Sequence, residues 1–280
     1  MKYHDLLTKA VEAAIEAGEK ILAVYHTDFA VETKADNSPL TVADQASHKI
    51  ITQRLNQFGI PVLSEEGRHL PYAERSTWRR LWIIDPLDGT KEFVKKNGEF
   101  TVNIALVEKE TPLLGVVFAP DRRLLYFAMH DTGSRKIDDP SIIQKLFEMR
   151  RNGSLTMDFL VDGSVKLPLE RPQGACYTIV GSRSHATQDL EEFVAAKRRQ
   201  EGRVNFVPAG SSLKICLVAE GTADIYPRLG PTMEWDTAAG QAVATFAGAD
   251  VYSYETGAPL LYNKENLLNP WFIVERKKTP

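Results

Sequence analysis

One stretch limits what this chain can fold into more than any other. Residues 81–93 read Leu-Trp-Ile-Ile-Asp-Pro-Leu-Asp-Gly-Thr-Lys-Glu-Phe. The apolar run from Leu81 to Ile84 has the length and character of a buried strand. It stops at a carboxylate, Asp85, and Pro86 argues against continuing the strand, because proline has no N–H and a fixed φ. Asp88 comes three residues after Asp85, followed at once by Gly89 and Thr90. A fold that contains this stretch must bury the strand and still leave two acids, a glycine and a hydroxyl at its end. Such an end can hold metal ions and a phosphate. A bare Asp-x-x-Asp-Gly is also an ordinary turn with an Asp cap, and the apolar approach makes this run more specific than that.

The residues before it read as helix and sheet. Leu6, Leu7, Ala10, Ala14, Ile21, Leu22 and Tyr25 recur at helical steps and predict a helix over residues 3–25. A short strand is expected at 30–33 and a turn at 37–39. Thr41 is a candidate N-cap with Asp44 at its third position, opening a helix that runs to residue 58 and ends at Gly59. Asp44 can equally be first-turn helix electrostatics. Residues 60–63 predict a strand that ends in Ser64, Glu65 and Glu66, and adjacent acids at a strand end are often merely solvated. Residues 68–80 read as polar and irregular.

After the central stretch, strands at 100–107, 113–119 and 124–129 predict an antiparallel meander. The first half is therefore an α+β arrangement, two helices on a mainly antiparallel sheet. Residues 131–174 are rich in turn signals, with a helix expected at 141–150. Beyond Cys176 the pattern changes. Strands at 176–180, 204–207 and 223–226 alternate with helices at 187–201 and 213–220, the latter closed by Gly221. This is α/β alternation, and its two serine-rich loops, 181–185 and 208–212, fall where open sheets bind ligands. A small-residue helix at 237–246 and strands at 250–254 and 271–275 complete the chain. The expected organisation is an α+β metal-binding domain at 1–140, a connection at 141–174 and an α/β substrate-binding domain at 175–280.

The formal net charge of −3 argues against a nucleic-acid polymer as partner, so a phosphate ligand must be drawn in by bound cations or by local donors. No apolar run approaches the ~20 residues that cross a bilayer. Two cysteines, Cys176 and Cys216, with no metal-ligand spacing, fit a reducing, cytoplasmic setting.

Four acids lie at element ends next to Gly, Pro or Ser/Thr: Glu65, Asp85, Asp88 and Asp236. Hard oxygen ligands of this kind suit Mg²⁺, and two ions can stabilise the attacking and leaving oxygens of an in-line phosphoryl displacement. Asp85, on the most rigid element, is the natural bridge. Asp88 can curl back to the same centre, and the Leu87 carbonyl is free to coordinate. Gly89 and Thr90 offer N–H groups to the anion. Thr90 Oγ can take the proton of an activated water if Asp44 orients it, although spacing alone does not bring the two together.

Residues 82–93 and Trp-Asp-Thr-Ala-Ala-Gly at 235–240 resemble the two signatures of the inositol monophosphatase-like, lithium-sensitive, metal-dependent phosphatases. Lys91-Glu92-Phe93, 34–39, 63–66, 97–105, 210–214 and 226–228 are most similar to the bacterial CysQ-type 3′(2′),5′-bisphosphate nucleotidases among them. The resemblance implies a layered αβαβα sugar-phosphatase sandwich and two or three Mg²⁺ per site. It implies Glu65, Asp85, Leu87, Asp88 and Asp236 as metal ligands, and Asp44 with Thr90 as the pair that activates water. It also implies that Glu65, Leu87, Asp88, Gly89, Thr90, His185, Ser211, Lys214, Arg228 and Asp236 contact substrate.

The implied activity removes the 3′-phosphate of adenosine 3′,5′-bisphosphate, with adenosine 3′-phosphate 5′-phosphosulfate as a second substrate. The implied partner is a small phosphorylated nucleotide, and the chain would be a monomer or homodimer, cytoplasmic or peripheral at the inner face of the membrane. The alternatives are an inositol monophosphatase, a broader sugar phosphatase, and a non-catalytic phosphometabolite sensor. Ser211 or Ser212 can also be a helix cap, His185 a loop residue and Lys214 a solvated one. Trp235 and Cys216 read as core.

Overall fold

The structure is a computed structural model that describes residues 3–27, 31–33, 39–172, 174–182 and 187–277. In chain order the elements are α1 (Tyr3–Tyr25), β1 (Val31–Thr33), β2 (Pro39–Thr41), α2 (Val42–Asn56), β3 (Val62–Ser64), α3 (Tyr72–Arg75), β4 (Arg80–Asp88) and α4 (Thr90–Val94). They continue with β5 (Thr101–Glu108), β6 (Thr111–Ala119), β7 (Leu124–Met129), β8 (Gly133–Ile137), α5 (Pro140–Asn152), α6 (Met157–Asp162) and β9 (Val165–Lys166). The last are β10 (Tyr177–Ser182), α7 (Gln188–Glu201), β11 (Val204–Ala209), α8 (Leu213–Glu220), β12 (Ile225–Arg228), α9 (Glu234–Phe246), β13 (Ala249–Ser253) and β14 (Phe272–Arg276).

Strands β3 to β9 form one sheet in sequence order, antiparallel except for the parallel pair β3–β4. A second sheet has the order β11-β10-β12-β14-β13 and is mixed, with β10 parallel to both β11 and β12. The apolar face of α1, from Leu6 to Tyr25, packs with Ala43, Ile51 and Leu55 of α2 on one side of the first sheet. Its other side, through Leu81, Ile83, Ala105, Val117 and Tyr126, shares a core with α8, α9 and the second sheet. Leu190 and Val194 of α7 cover the far side of that sheet. The layers run αβαβα, the expected sandwich.

Small residues make the middle layer thin. Ala238, Ala239, Ala242 and Ala244 line α9 and are buried. Gly115 of β6 lets the helix come close, because a Cβ there would lie 2.4 Å from the Ala239 carbonyl oxygen. Close packing of this kind brings the α9 N-terminus to the end of β4, and α9 touches both β4 and β5.

Four sequence expectations change. Strand β4 does not stop at Asp85 but runs through Pro86 to Asp88. The ladder with β5 shifts register between Asp85 and Asp88, and this irregularity takes up a proline that has no N–H to give. Residues 68–80 contain α3, and its Arg75 is buried. Residues 131–174 extend the first sheet by β8 and β9, and α5 and α6 pack against α1. Helix α9 also starts earlier than its small residues suggest, at Glu234, which makes Asp236 part of its first turn.

Candidate active site

The bulged end of β4 is the base of the site. Asp85 is buried, with its Oδ1 accepting the Leu87 N–H at 3.1 Å. The Glu65 N–H reaches the Ile84 carbonyl at 3.3 Å, which extends the β3–β4 pairing and sets Glu65 beside Asp85. Ser47 Oγ donates to the Pro86 carbonyl at 2.7 Å and ties α2 to the bulge. Asp44 precedes Ser47 by three residues on the same helix, hence on the same face, and is fully buried. Gly89 has φ +87°, a left-handed turn in which a Cβ would come within 3.2 Å of the Glu99 carbonyl oxygen. Thr90 opens α4, and its hydroxyl lies 3.5 Å from the Leu87 carbonyl.

Asp236 arrives from the other half of the chain. Its Oδ2 accepts the Met233 N–H at 2.8 Å, a reach-back contact that fixes the first turn of α9. Carboxylate oxygens of Asp85, Asp88 and Asp236 all lie within 4.8 Å of one another. Burial holds Asp85 well above the usual carboxylate range, and the charges of Glu65, Asp88, Asp236 and Asp44 push the same way. Asp236 is pushed up to about 8, by burial first and the Asp88 charge next. Five acids therefore act on one centre. Packing like charges out of water is costly unless a cation joins them, and an all-oxygen donor set fits a hard divalent metal.

Asp88 is held from both halves. Its Oδ2 accepts from Ser211 Oγ at 2.5 Å and Ser212 Oγ at 3.0 Å, and Asn103 Nδ2 lies 3.5 Å away. Asn103 Nδ2 also donates to Ser212 Oγ at 2.9 Å, and Thr101 Oγ1 to Asn103 Oδ1 at 3.0 Å. Ser212 is 2.8 Å from the Asp236 carbonyl as well, so one hydroxyl touches the supports of two acids. Ser212 starts α8 without a side-chain capping bond, so its hydroxyl serves the site and not the helix end. Thr101 and Asn103 had no role assigned from sequence. Their signal was there: two polar residues two apart in an apolar strand face the same side.

Beside the acids lie two connected clefts of about 520 and 140 Å³. Lys91 and Arg228 line both, and Lys214 lines the smaller. Lys214 is buried, donates to the Ser211 carbonyl at 2.6 Å and sits over the Tyr226 ring at 5.7 Å. Burial lowers its pKa to about 8. Arg228 Nη2 donates to the Pro231 carbonyl at 2.8 Å. Leu190, Leu229, Met233 and Leu268 give the larger cleft an apolar wall. His185 falls outside the described residues. Trp235 packs on the core and Cys216 is buried.

Carboxylates gathered at a strand end between the layers of an αβαβα sandwich define a metal-dependent phosphatase of the sugar-phosphatase class. The chain belongs to the inositol monophosphatase family, which it matches over residues 2–276. A 3′(2′),5′-bisphosphate nucleotidase CysQ from Shigella flexneri is 43% identical over 274 residues, covering 96% of this chain and 99% of that protein. The protein of the same name from Escherichia coli (strain K12) is 42% identical over equal shares. The crystal structure of CysQ from Bacteroides thetaiotaomicron superposes with a TM-score of 0.87 at 46% identity, covering 99% of each chain. An IMPase from Thermotoga maritima, at 21% identity and a TM-score of 0.70, shares the fold over 97% of this chain and 92% of its own. No helix among the described residues is long and apolar enough to cross a membrane.

Proposed function

We propose that this chain hydrolyses the 3′-phosphate of adenosine 3′,5′-bisphosphate to AMP and phosphate, with Mg²⁺ as cofactor and adenosine 3′-phosphate 5′-phosphosulfate as a second substrate. The observation that carries this reading is the pairing of a three-carboxylate cluster with a cleft that holds Lys91, Lys214 and Arg228. A ligand with one phosphate is served by the metal centre alone. A second phosphate calls for cations beside it. The likeness to bisphosphate nucleotidases at 42–43% identity supports the same substrate class.

Glu65, Asp85, Asp88, Asp236 and the Leu87 carbonyl would hold the ions. When bound, Mg²⁺ supplies charge neutralisation at the attacking and leaving oxygens and acidifies water. The remaining steps fall to the chain. The N–H groups of Gly89 and Thr90 orient the scissile phosphate. Thr90 Oγ takes the proton of the attacking water as its own hydroxyl proton passes to the Asp44 carboxylate. The water oxygen bonds to phosphorus as the P–O3′ bond breaks, and the leaving 3′-oxygen takes a proton from a solvent water. Lys214, Arg228, Ser211 and His185 hold the nucleotide and its other phosphate.

Phosphate release from adenosine 3′,5′-bisphosphate and from inositol 1-phosphate, measured side by side with Mg²⁺, tests this. A preference for the inositol ester would overturn the substrate assignment. No turnover of either would favour the sensor reading.

A further inference from the structure

Helix α9 carries Asp236 in its first turn, and a separate buried network fixes that turn. Glu234, two residues before Asp236, is 0% exposed. Its Oε2 accepts the Asn263 N–H at 2.5 Å, while Oε1 accepts the Lys264 N–H at 3.0 Å and Lys264 Nζ at 2.6 Å. Asn263 has φ +61°, the left-handed turn that aims two successive N–H groups at one anion. Asn263 is pinned in turn by Arg75, which is 2% exposed. Arg75 Nη1 donates to Asn263 Oδ1 at 2.7 Å, and its guanidinium also reaches the Lys264 and Glu265 carbonyls. Asn263 Nδ2 returns a bond to the Arg75 carbonyl at 2.9 Å. On the other side of the turn, Asn269 Nδ2 donates to the Met233 carbonyl at 2.8 Å and to Thr237 Oγ1 at 3.0 Å.

These side chains bond to one another and to the backbone around the start of α9, with Arg75 holding the 263–265 turn that in turn holds Glu234. We infer that Glu234 is a positioning residue for the metal centre: its carboxylate, clamped by Asn263 and Lys264, sets the first turn of α9 and so holds Asp236 within reach of Asp85 and Asp88. The clamp begins at Arg75, ten residues after Glu65. It therefore links the segment that follows one candidate ligand to the helix that bears another. A merely structural network would raise stability and leave cation affinity alone. A positioning network changes affinity, because a ligand displaced by a fraction of an ångström loses its share of the ion. Groups that orient metal ligands typically set affinity by 10–100-fold.

This inference rests on the metal-site reading, so the experiment separates the two. Mg²⁺ is titrated calorimetrically into purified protein, with melting temperature measured in parallel. Glu234→Gln places an amide NH₂ against the Lys264 donors. It should weaken Mg²⁺ binding about 10–100-fold, while KM for the bisphosphate at saturating Mg²⁺ moves less than about 3-fold. Glu220→Gln breaks a different buried carboxylate, bonded to Tyr126 and Lys136, and should lower the melting temperature with Mg²⁺ affinity unchanged. If Glu234→Gln does not fold, Lys264→Met is read instead. The Lys264 side chain is 27% exposed and tolerates replacement. Lys264→Met should weaken Mg²⁺ binding about 10-fold and Lys264→Arg should restore it. Wild-type Mg²⁺ affinity in the folded Glu234 or Lys264 variant overturns the inference. Asp236→Asn is the reference. If it too binds Mg²⁺ normally, the metal-site reading has failed, and the clamp has not been the cause.

Discussion

Stripped of divalent metal, the protein should lose stability as pH rises from 6.5 to 8, the reverse of ordinary acidic denaturation. The cause is the acid cluster. In the fold Asp236 is held at about 8, far above its ordinary 3.8, by burial and the neighbouring Asp88 charge. Between those values the folded state binds a proton that the unfolded chain has released. Stability then falls as pH rises through the folded pKa. For a folded pKa of about 8, the loss between pH 6.5 and 8 is about 2 kcal/mol. For a chain of this size that is a drop of roughly 3 °C in melting temperature. Asp85, also held high, adds in the same direction.

Two other groups act outside this window. Burial lowers the pKa of His48, so it gains stability with rising pH only below its ordinary 6.5. Lys214, lowered to about 8, has its opposing effect between 8 and its ordinary 10.5. Calorimetric melts across the window in EDTA and in saturating MgCl₂ provide the assay. Bound Mg²⁺ keeps the acids ionised in the fold, so the slope should vanish in MgCl₂ and the melting temperature rise. Asp236→Asn should flatten much of the EDTA slope. A metal-free melting temperature that stays level or climbs between pH 6.5 and 8 refutes the account, as does an unchanged slope in Asp236→Asn.

Three further outcomes are expected. Asp88→Asn should lower kcat on the order of 10³-fold with the far-ultraviolet circular dichroism unchanged, since several kcal/mol of charge stabilisation goes with the ion; a loss under tenfold would remove Asp88 from the metal site. Ser212→Ala deletes the hydroxyl shared between Asp88 and the Asp236 carbonyl. It should raise the Mg²⁺ concentration for half-maximal activity about 10-fold at a stability cost of about 1 kcal/mol, read from Mg²⁺ titrations and denaturant melts. Gly115→Ala sets a methyl 2.4 Å from the Ala239 carbonyl oxygen, backbone that cannot swing aside. It should cost about 2–3 kcal/mol in urea unfolding, and a neutral result would mean that the layers are looser than this contact implies.

Much of the fold was legible because its signals are local. Helices α1 and α8 fall on the residues their periodicity marks, and the Thr187 cap of α7 and the Gly221 stop of α8 are as written in the sequence. The meander β5–β7 follows its turns. The misses have non-local causes. Pro86 is a breaker by its chemistry, yet the neighbouring strand absorbs it in a bulge, which only the pairing reveals. Arg75 looks solvated in a polar stretch but is buried by a loop 188 residues away. Strands β8 and β9 are short and polar, and the sheet edge recruits them. The acids Glu65, Asp85, Asp88 and Asp236 stand out by position at element ends, and the other three all act on Asp85. Asn103 is marked by its place in an apolar strand, but its pairing with Ser212 is not, because that bond joins residues more than 100 apart.

The charge layout also sets an order of events. The net charge of −3 gives no long-range attraction for a bisphosphate. Near the site, five acids face three cations, Lys91, Lys214 and Arg228; without metal Asp85 and Asp236 are held largely protonated, so the repulsion comes from the acids that remain charged and grows as pH rises towards 8, where Lys214 is also only about half charged. Two like charges about 6 Å apart repel by about 3 kcal/mol at an effective dielectric near 20. One such pair weakens binding by about 100-fold. Metal is therefore expected to bind before nucleotide. Calorimetric titration of adenosine 3′,5′-bisphosphate in EDTA should give at least ~100-fold weaker binding than titration with Ca²⁺, a cation that takes the same oxygen ligands. Equal affinity in the two titrations would mean that Lys91, Lys214 and Arg228 hold the nucleotide unaided, and the acid cluster would then lie too far from the phosphate to act on it.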